Sequence, residues 1–209
     1  MKKQVNGNPA ISGATCFFRD PEAFAAFGKK AVPRLLAGQP AGGVIRVWVP
    51  GCSTGEEAYS LAMVLREAIT AARRQIKLVI VATDIDSLAL EQARTGIYPA
   101  SHLAADVSAK RLARFFVQGG QVKKSLRNQL VFFRHDVLAD PTFSDFDLIS
   151  CRNLLVYLSA AQRKTLLARF HAVLNPGGIL FLGPAETAGG ASSLFTILDR
   201  QARIYQRQG

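Results

Sequence analysis

Val44-Ile45-Arg46-Val47-Trp48-Val49-Pro50-Gly51-Cys52-Ser53-Thr54-Gly55-Glu56-Glu57 is the stretch on which the fold turns. It opens as an apolar run of strand length ended by Pro50-Gly51, and beyond the small-residue turn Ala58, Leu61, Ala62, Leu65, Ala68 and Ile69 recur at helical spacing. A second apolar strand, Lys77 to Ala82, ends at Thr83-Asp84-Ile85-Asp86 and leads into a short helix near Ser87 to Arg94. Strand, helix, strand, helix implies a parallel sheet with right-handed crossovers.

Upstream, Asp20-Pro21-Glu22 supplies an N-cap, a first-turn proline and an acid, and Phe24, Phe27, Ala31 and Leu35 predict one amphipathic helix. Residues 1–14 are expected to be a tail or linker, with one domain over 15–209. From Gly96 to Asn128 the rhythm breaks into a charged insert, with a helix near Ser108 to Phe116 and an alternating segment from Val122 to Leu126. It resumes with strands Leu130 to Arg134 and Asp147 to Ser150, then a helix opened by the capping box Ser159-Ala160-Ala161-Gln162. That helix is expected to stop at Asn175-Pro176-Gly177-Gly178, before strand Ile179 to Leu182 and a closing hairpin of Phe195 to Leu198 and Arg203 to Tyr205.

Composition limits the function. In 209 residues, 49% are hydrophobic and 20% charged, enough apolar material for one core and no case for disorder. The apolar runs are strand-sized, which argues against membrane insertion. Lys plus Arg (26) outnumber Asp plus Glu (15), a positive balance that suits an acidic protein, nucleic acid or anionic lipid. The basic pairs Lys29-Lys30, Arg73-Arg74, Lys110-Arg111 and Lys123-Lys124 are scattered without interleaved aromatics, so they read as solvated faces rather than a nucleic-acid track. Cys16, Cys52 and Cys151 lack metal-ligand spacing, so no metal is expected, and with no secretory signal after Met1 they read as reduced thiols of a cytoplasmic protein.

The turn Gly51 to Glu57 lies at a strand's carboxyl end, where a doubly wound sheet binds its ligand. It lacks G-x-G-x-x-G spacing, and Glu56 and Glu57 would repel a pyrophosphate while suiting a cationic or hydroxyl-bearing ligand. Asp84, at the next strand end, can accept ribose hydroxyls or cap the following helix. A phosphate-free nucleoside fits the first option, and S-adenosylmethionine is the commonest such ligand. Gly51-x-Ser53-x-Gly55 also matches a hydrolase nucleophile elbow, which would need His135 or His171 as partner, yet only one strand precedes it and no oxyanion loop stands upstream.

Thr15-x-Phe17-Phe18-Arg19, Pro50 to Ser60, Ala82 to Asp86, Ser150-Cys151-Arg152-Asn153-Leu154-Leu155-Val156-Tyr157, Leu174-x-Pro176-Gly177-Gly178 and Gly183-x-x-Glu186 occur in the order seen in one family. From Thr15 to about Tyr205 the chain resembles CheR-type chemotaxis methyltransferases, and its wording is most similar to methyltransferase modules fused to a CheB-type methylesterase and PAS sensors. The resemblance implies an α/β fold of the Rossmann-like class I methyltransferase type: a doubly wound, mostly parallel sheet with a small inserted subdomain and a C-terminal antiparallel hairpin. It implies methyl transfer from S-adenosylmethionine to receptor glutamates, leaving glutamyl methyl esters and S-adenosylhomocysteine. Thr15, Arg19, Gly51, Glu57, Asp84, Asp136, Val137, Arg152 and Asn153 would hold the cofactor, and Arg19 and Tyr157 would act at the reacting centre. Phe17 and Phe18 read equally as core.

Family members carry a helical domain before T-x-F-F-R, which this chain is expected to lack. Gly13 stands where asparagine is frequent, and the insert is short at Gly119-Gly120, so no tight binding of a receptor C-terminal peptide is expected. A binding-only sensor of S-adenosylmethionine is the alternative. A nucleic-acid methyltransferase would need an N-P-P-Y-type motif, which is missing beside Asn153.

Overall fold

Alternation along β1 (Val44–Pro50) sends Ile45, Val47 and Val49 to one face of a sheet and Trp48 to the other. The computed structural model describes residues 15–189 and 193–209; the expected tail over 1–14, Gly13 included, lies outside them. β1 pairs in parallel with β2 (Lys77–Asp84) and β4 (Phe146–Cys151), while β3 (Leu130–Arg134) extends the sheet beyond β2 and β5 (Leu174–Leu182) beyond β4. β7 (Ile204–Arg207) runs antiparallel to β5, and β6 (Phe195–Asp199) antiparallel to β7. The order β3-β2-β1-β4-β5-β7-β6 is the expected doubly wound, mostly parallel sheet with a C-terminal hairpin, and its direction reverses between β1 and β4.

One face is covered by α1 (Pro21–Lys30), α2 (Val32–Ala37), α3 (Glu56–Ala71) and α4 (Ser87–Thr95), whose apolar residues join those of β1 and β2 in one cluster. Between α4 and β3 the chain leaves the sheet as α5 (Ala100–Asp106), α6 (Ala109–Phe115) and α7 (Lys124–Arg127), tied by the bridges Ile97 to Gln121 and Phe116 to Val122. The opposite face is covered by α8 (Ala160–Val173), where Trp48 stacks on Phe146 and meets Phe143 and Phe170 edge-on. α8 opens with the expected capping box, Ser159 with Gln162.

Local expectations are corrected in four places. The single amphipathic helix is two, joined at Ala31, because Pro33 has no N–H to continue the ladder and its ring crowds the preceding turn. The alternating segment Val122 to Leu126 does not run on as extended chain: Val122 makes a single bridge, to Phe116, and the chain then turns at Lys123 into α7, which buries Leu126. β5 begins at Leu174, ahead of the glycines, with a register shift against β4 and an Asn175 to Asp147 side-chain bond of 2.9 Å. Asp20 precedes α1 but caps nothing, since its carboxylate turns to Arg152 instead. Among the described residues no helix is long and apolar enough to cross a membrane.

Candidate functional site

The parallel register aligns the carboxyl ends of β1 to β4, so the turns at 51–55, 84–86, 135–137 and 152–153 share one edge of the sheet beside the switch point. The β1–α3 turn is left-handed at Gly51 (φ 70), Ser53 (φ 49) and Gly55 (φ 96). A Cβ at Gly55 would lie 2.9 Å from the Ala93 methyl, so that position needs glycine for space as well as φ, while one at Gly51 would press at 3.3 Å on the Leu154 side chain and is disfavoured chiefly by φ. Ser53 is held in its strained backbone by donating its N–H to Asp84 Oδ2 at 2.8 Å. Asp84 Oδ1 accepts the Asp86 N–H at 3.0 Å, and α4 is capped by Asp86 through Leu88 and Ala89, not by Asp84. Each Asp84 oxygen can accept a further hydrogen bond, in an orientation already set by the chain.

Glu57, in the first turn of α3, accepts from Ser150 Oγ at 2.7 Å and lies 3.8 Å from Arg152 Nη1. Burial pushes its carboxyl up to about 7, against the pull of Arg152, the Ser150 bond and Arg19. The folded protein therefore holds this proton more tightly than the unfolded chain, whose carboxyl titrates near 4.5. The contribution of Glu57 to ligand-free stability is expected to be fully present below that value and lost as pH rises through about 7, by at most about 3 kcal/mol. Urea midpoints at about pH 5 and about pH 8 measure it, and Glu57→Gln should remove this component.

The turn ahead of α1 carries left-handed residues at Phe18 (φ 50) and Asp20 (φ 60). It is fastened to α3 by the Phe18 N–H, which donates to Ser60 Oγ at 3.0 Å, and Ser60 in turn donates to the Glu56 carbonyl at 2.7 Å. Phe17 packs against Tyr98 and Phe116, and Phe18 lies under the Arg111 guanidinium; both rings are core, and they pin Arg19 between them and α1. Thr15 and Arg19 are half-buried on this turn. The Tyr98 hydroxyl, from the segment after α4, donates to the Thr54 carbonyl at 2.7 Å and braces the glycine turn.

Arg152 and Asn153 follow β4. The Arg152 guanidinium is buried between the Phe24 and Phe181 rings and donates through Nη2 to the Arg19 carbonyl at 3.0 Å and Asp20 Oδ2 at 2.8 Å. Asn153 (φ 61) donates its N–H to Glu186 Oε2 at 2.9 Å. Glu186 also accepts from Leu155 at 2.7 Å and Gly183 at 2.7 Å, so one buried carboxylate shapes the turn that carries Asn153. Tyr157, in a single 3-10 turn, is 51% exposed. Asp136 caps its own turn through Leu138 at 2.8 Å, Arg169 holds the Val137 carbonyl at 3.1 Å, and the His135 N–H to Asp84 carbonyl bond of 3.0 Å sets this loop beside Asp84.

Gly51, Glu57, Asp84, Asn153 and the Asp136-Val137 pair thus gather along one edge, with the Arg19 turn fastened to it through Arg152. Ser60, Tyr98, Ser150 and Glu186 were not expected as supports; Ser60, Ser150 and Glu186 stand within the quoted motifs, and Tyr98 left no signal. The hydrolase alternative fails, because His135 Nε2 and His171 Nε2 each lie 3.0 Å from backbone carbonyls, of Pro141 and Gln208, and neither pairs with Ser53.

Residues 13–204 match the family described as CheR methyltransferase, SAM binding domain. Over 195 residues the chain is 40% identical to an uncharacterized 104.1 kDa protein of Rhodobacter capsulatus, covering 92% of this chain and 20% of that one. It is 36% identical over 183 residues to the chemotaxis protein methyltransferase Cher2 of Pseudomonas putida, covering 84% and 66%, so it spans a fifth of the first relative and about two thirds of the second. Against chemotaxis protein methyltransferase 2 of Pseudomonas aeruginosa it is 35% identical over 203 residues, covering 92% and 70%. A solved glycopeptide N-methyltransferase, MtfA, complexed with S-adenosylmethionine, is similar at a TM-score of 0.46 and 16% identity, over 82% of this chain and 50% of that one. With the family match covering nearly all the described residues, and relatives above 30% identity along most of their length, the chain belongs to the CheR methyltransferase family as its S-adenosylmethionine-binding domain.

Proposed function

We propose that the domain transfers a methyl group from S-adenosylmethionine to glutamate side chains of a chemoreceptor or a related acidic signalling protein. The observation that carries this is the pair Glu57 and Asp84, one carboxylate in the first turn of α3 and one at the end of β2, on either side of the left-handed turn that begins at Gly51. That donor set suits a ligand with an ammonium and ribose hydroxyls and repels phosphate. When bound, S-adenosylmethionine supplies an electrophilic sulfonium methyl. A glutamate is already anionic at neutral pH, so the chain has no proton to remove and its task is orientation. Arg19 and Tyr157 orient the incoming carboxylate, Thr15 and Arg19 close over the methionine end, and Asp136, Val137 and Asn153 flank the nucleoside. Alignment for in-line attack is worth roughly 7–11 kcal/mol. The basic balance of the chain favours an acidic substrate protein.

The 104.1 kDa relative, of which this chain covers 20%, supports a module within a larger signalling protein, with CheB-type fusion as the form proposed. A cytoplasmic place accords with the free Cys16, Cys52 and Cys151. The test is transfer of labelled methyl from S-adenosylmethionine to receptor cytoplasmic fragments. Label lost in mild base is the expected result; bound cofactor with every fragment unlabelled would return the binding-only alternative, and base-stable label on RNA or DNA would overturn the glutamate reading.

A further inference from the structure

Arg152 serves two carboxylates with one cation. Its side chain is 0% exposed, Nη2 lies 2.8 Å from Asp20 Oδ2, and Nη1 lies 3.8 Å from Glu57 Oε2. Nε and Nη1 are buried and have no hydrogen-bond partner among the described residues. The hydrogen-bonded ion pair is therefore made with the more exposed acid, Asp20 at 36%, while the less exposed one, Glu57 at 16%, is held only in a looser 3.8 Å contact. Solvent alone would favour the reverse, since a buried charge gains most from a close partner.

Asp20 gives up something to make this contact. It stands at the N-cap of α1 with φ 60 and ψ 71, and its side chain makes no cap hydrogen bond, the contact by which an aspartate at this position ordinarily stabilises a helix. A residue that abandons its local role and holds a strained backbone marks a functional constraint.

We infer that Asp20 is a positioning residue that acts through Arg152: by holding Nη2 it keeps the guanidinium off Glu57 and leaves that carboxylate open to a cationic group of the methyl donor. The inference rests on the reading of Glu57 as a cofactor-holding residue. The groups that face Glu57 are Ser150 and Arg152 from β4 and its end, Arg19 from the turn ahead of α1, and Glu186 after β5. The buried thiols of Cys52 and Cys151, both pushed up by desolvation, stay protonated and add no charge near neutral pH. With the Asp20 charge removed, Arg152 is free to close on Glu57 as an internal pair that competes with the ligand.

Asp20→Asn tests this, because asparagine tolerates the left-handed backbone and keeps the shape while losing the charge. The Glu57 carboxyl carbon is titrated by NMR in the ligand-free protein, and S-adenosylhomocysteine binding is measured by calorimetry at about pH 8. In Asp20→Asn the Glu57 midpoint is expected to fall from about 7, with proton affinity down about tenfold, and the ligand to bind about tenfold more weakly. In a Glu57→Gln background, Asp20→Asn should have no further effect on affinity, which a general loss of structure would not spare. An unchanged midpoint overturns the inference whether or not the ligand binds, and so does an unchanged affinity. A wild type that fails to bind S-adenosylhomocysteine would instead overturn the cofactor role of the edge, with the midpoint still deciding whether Asp20 governs Glu57. Asp20→Gly, which accepts the same backbone, is the second variant should Asp20→Asn not fold.

Discussion

Asp84→Ala is expected to weaken S-adenosylhomocysteine binding by 100-fold or more, on the order of 3–6 kcal/mol for two hydrogen bonds to a charged acceptor. The loss has two physical parts. The carboxylate that would take the ribose hydroxyls is gone, and the Ser53 N–H loses its 2.8 Å acceptor, so the left-handed turn at Ser53 is no longer held. Asp84→Asn separates them: it retains one acceptor oxygen and the shape but not the charge, and should fall between the alanine variant and the wild type. Calorimetric titration of the three proteins measures the series. Wild-type affinity retained within about threefold in Asp84→Ala would mean that the nucleoside is held elsewhere.

Glu186→Ala is expected to produce the largest loss of stability. Three backbone N–H groups, of Asn153, Leu155 and Gly183, converge on this one buried carboxylate, and among the described residues no other acceptor is bonded to them. Removing it strands buried donors at about 1–3 kcal/mol each, so a loss of roughly 3–5 kcal/mol is expected once the turn relaxes. At this chain length that corresponds to a fall in Tm of about 10 °C. Glu186→Gln keeps the volume but points an NH2 at a donor and should lose less. Thermal denaturation of the ligand-free proteins reads both, and a fall of less than about 2 °C in Glu186→Ala would show that water replaces the carboxylate without cost. A lowered cofactor affinity in the surviving folded fraction would follow from displacement of Asn153.

Much of the architecture was legible because it is periodic. Strand-sized apolar runs alternating with helical spacing dictate a parallel sheet, and the Ser159-Gln162 box marks the start of α8. The misreadings were local competitions that periodicity does not register: the phenylalanine and leucine spacing continues through Ala31, but Pro33 cannot make the helix's hydrogen bond there. The Asn175-Pro176-Gly177-Gly178 stop holds for the helix, which ends at Val173, and regular pairing with β4 starts at Ile179; what spacing could not show is that Leu174, ahead of the glycines, already pairs with Phe146 across the register break.

In the site, what the sequence determined by itself was the chemistry on offer. A glycine turn followed by acids, and a further acid at the next strand end, excludes phosphate and invites a cationic nucleoside, because charge and backbone freedom are properties of residue types. Which carboxylate does which work was decided only by the tertiary structure. Asp20, read as a helix cap, is an ion-pair partner of Arg152; Arg152 also holds the Arg19 turn from beneath; Glu186, given no role, shapes the Asn153 turn. These assignments join residues as much as 133 positions apart, and hydrogen bonds of about 3 Å are set by how strands and turns pack, a relation that composition and spacing do not contain.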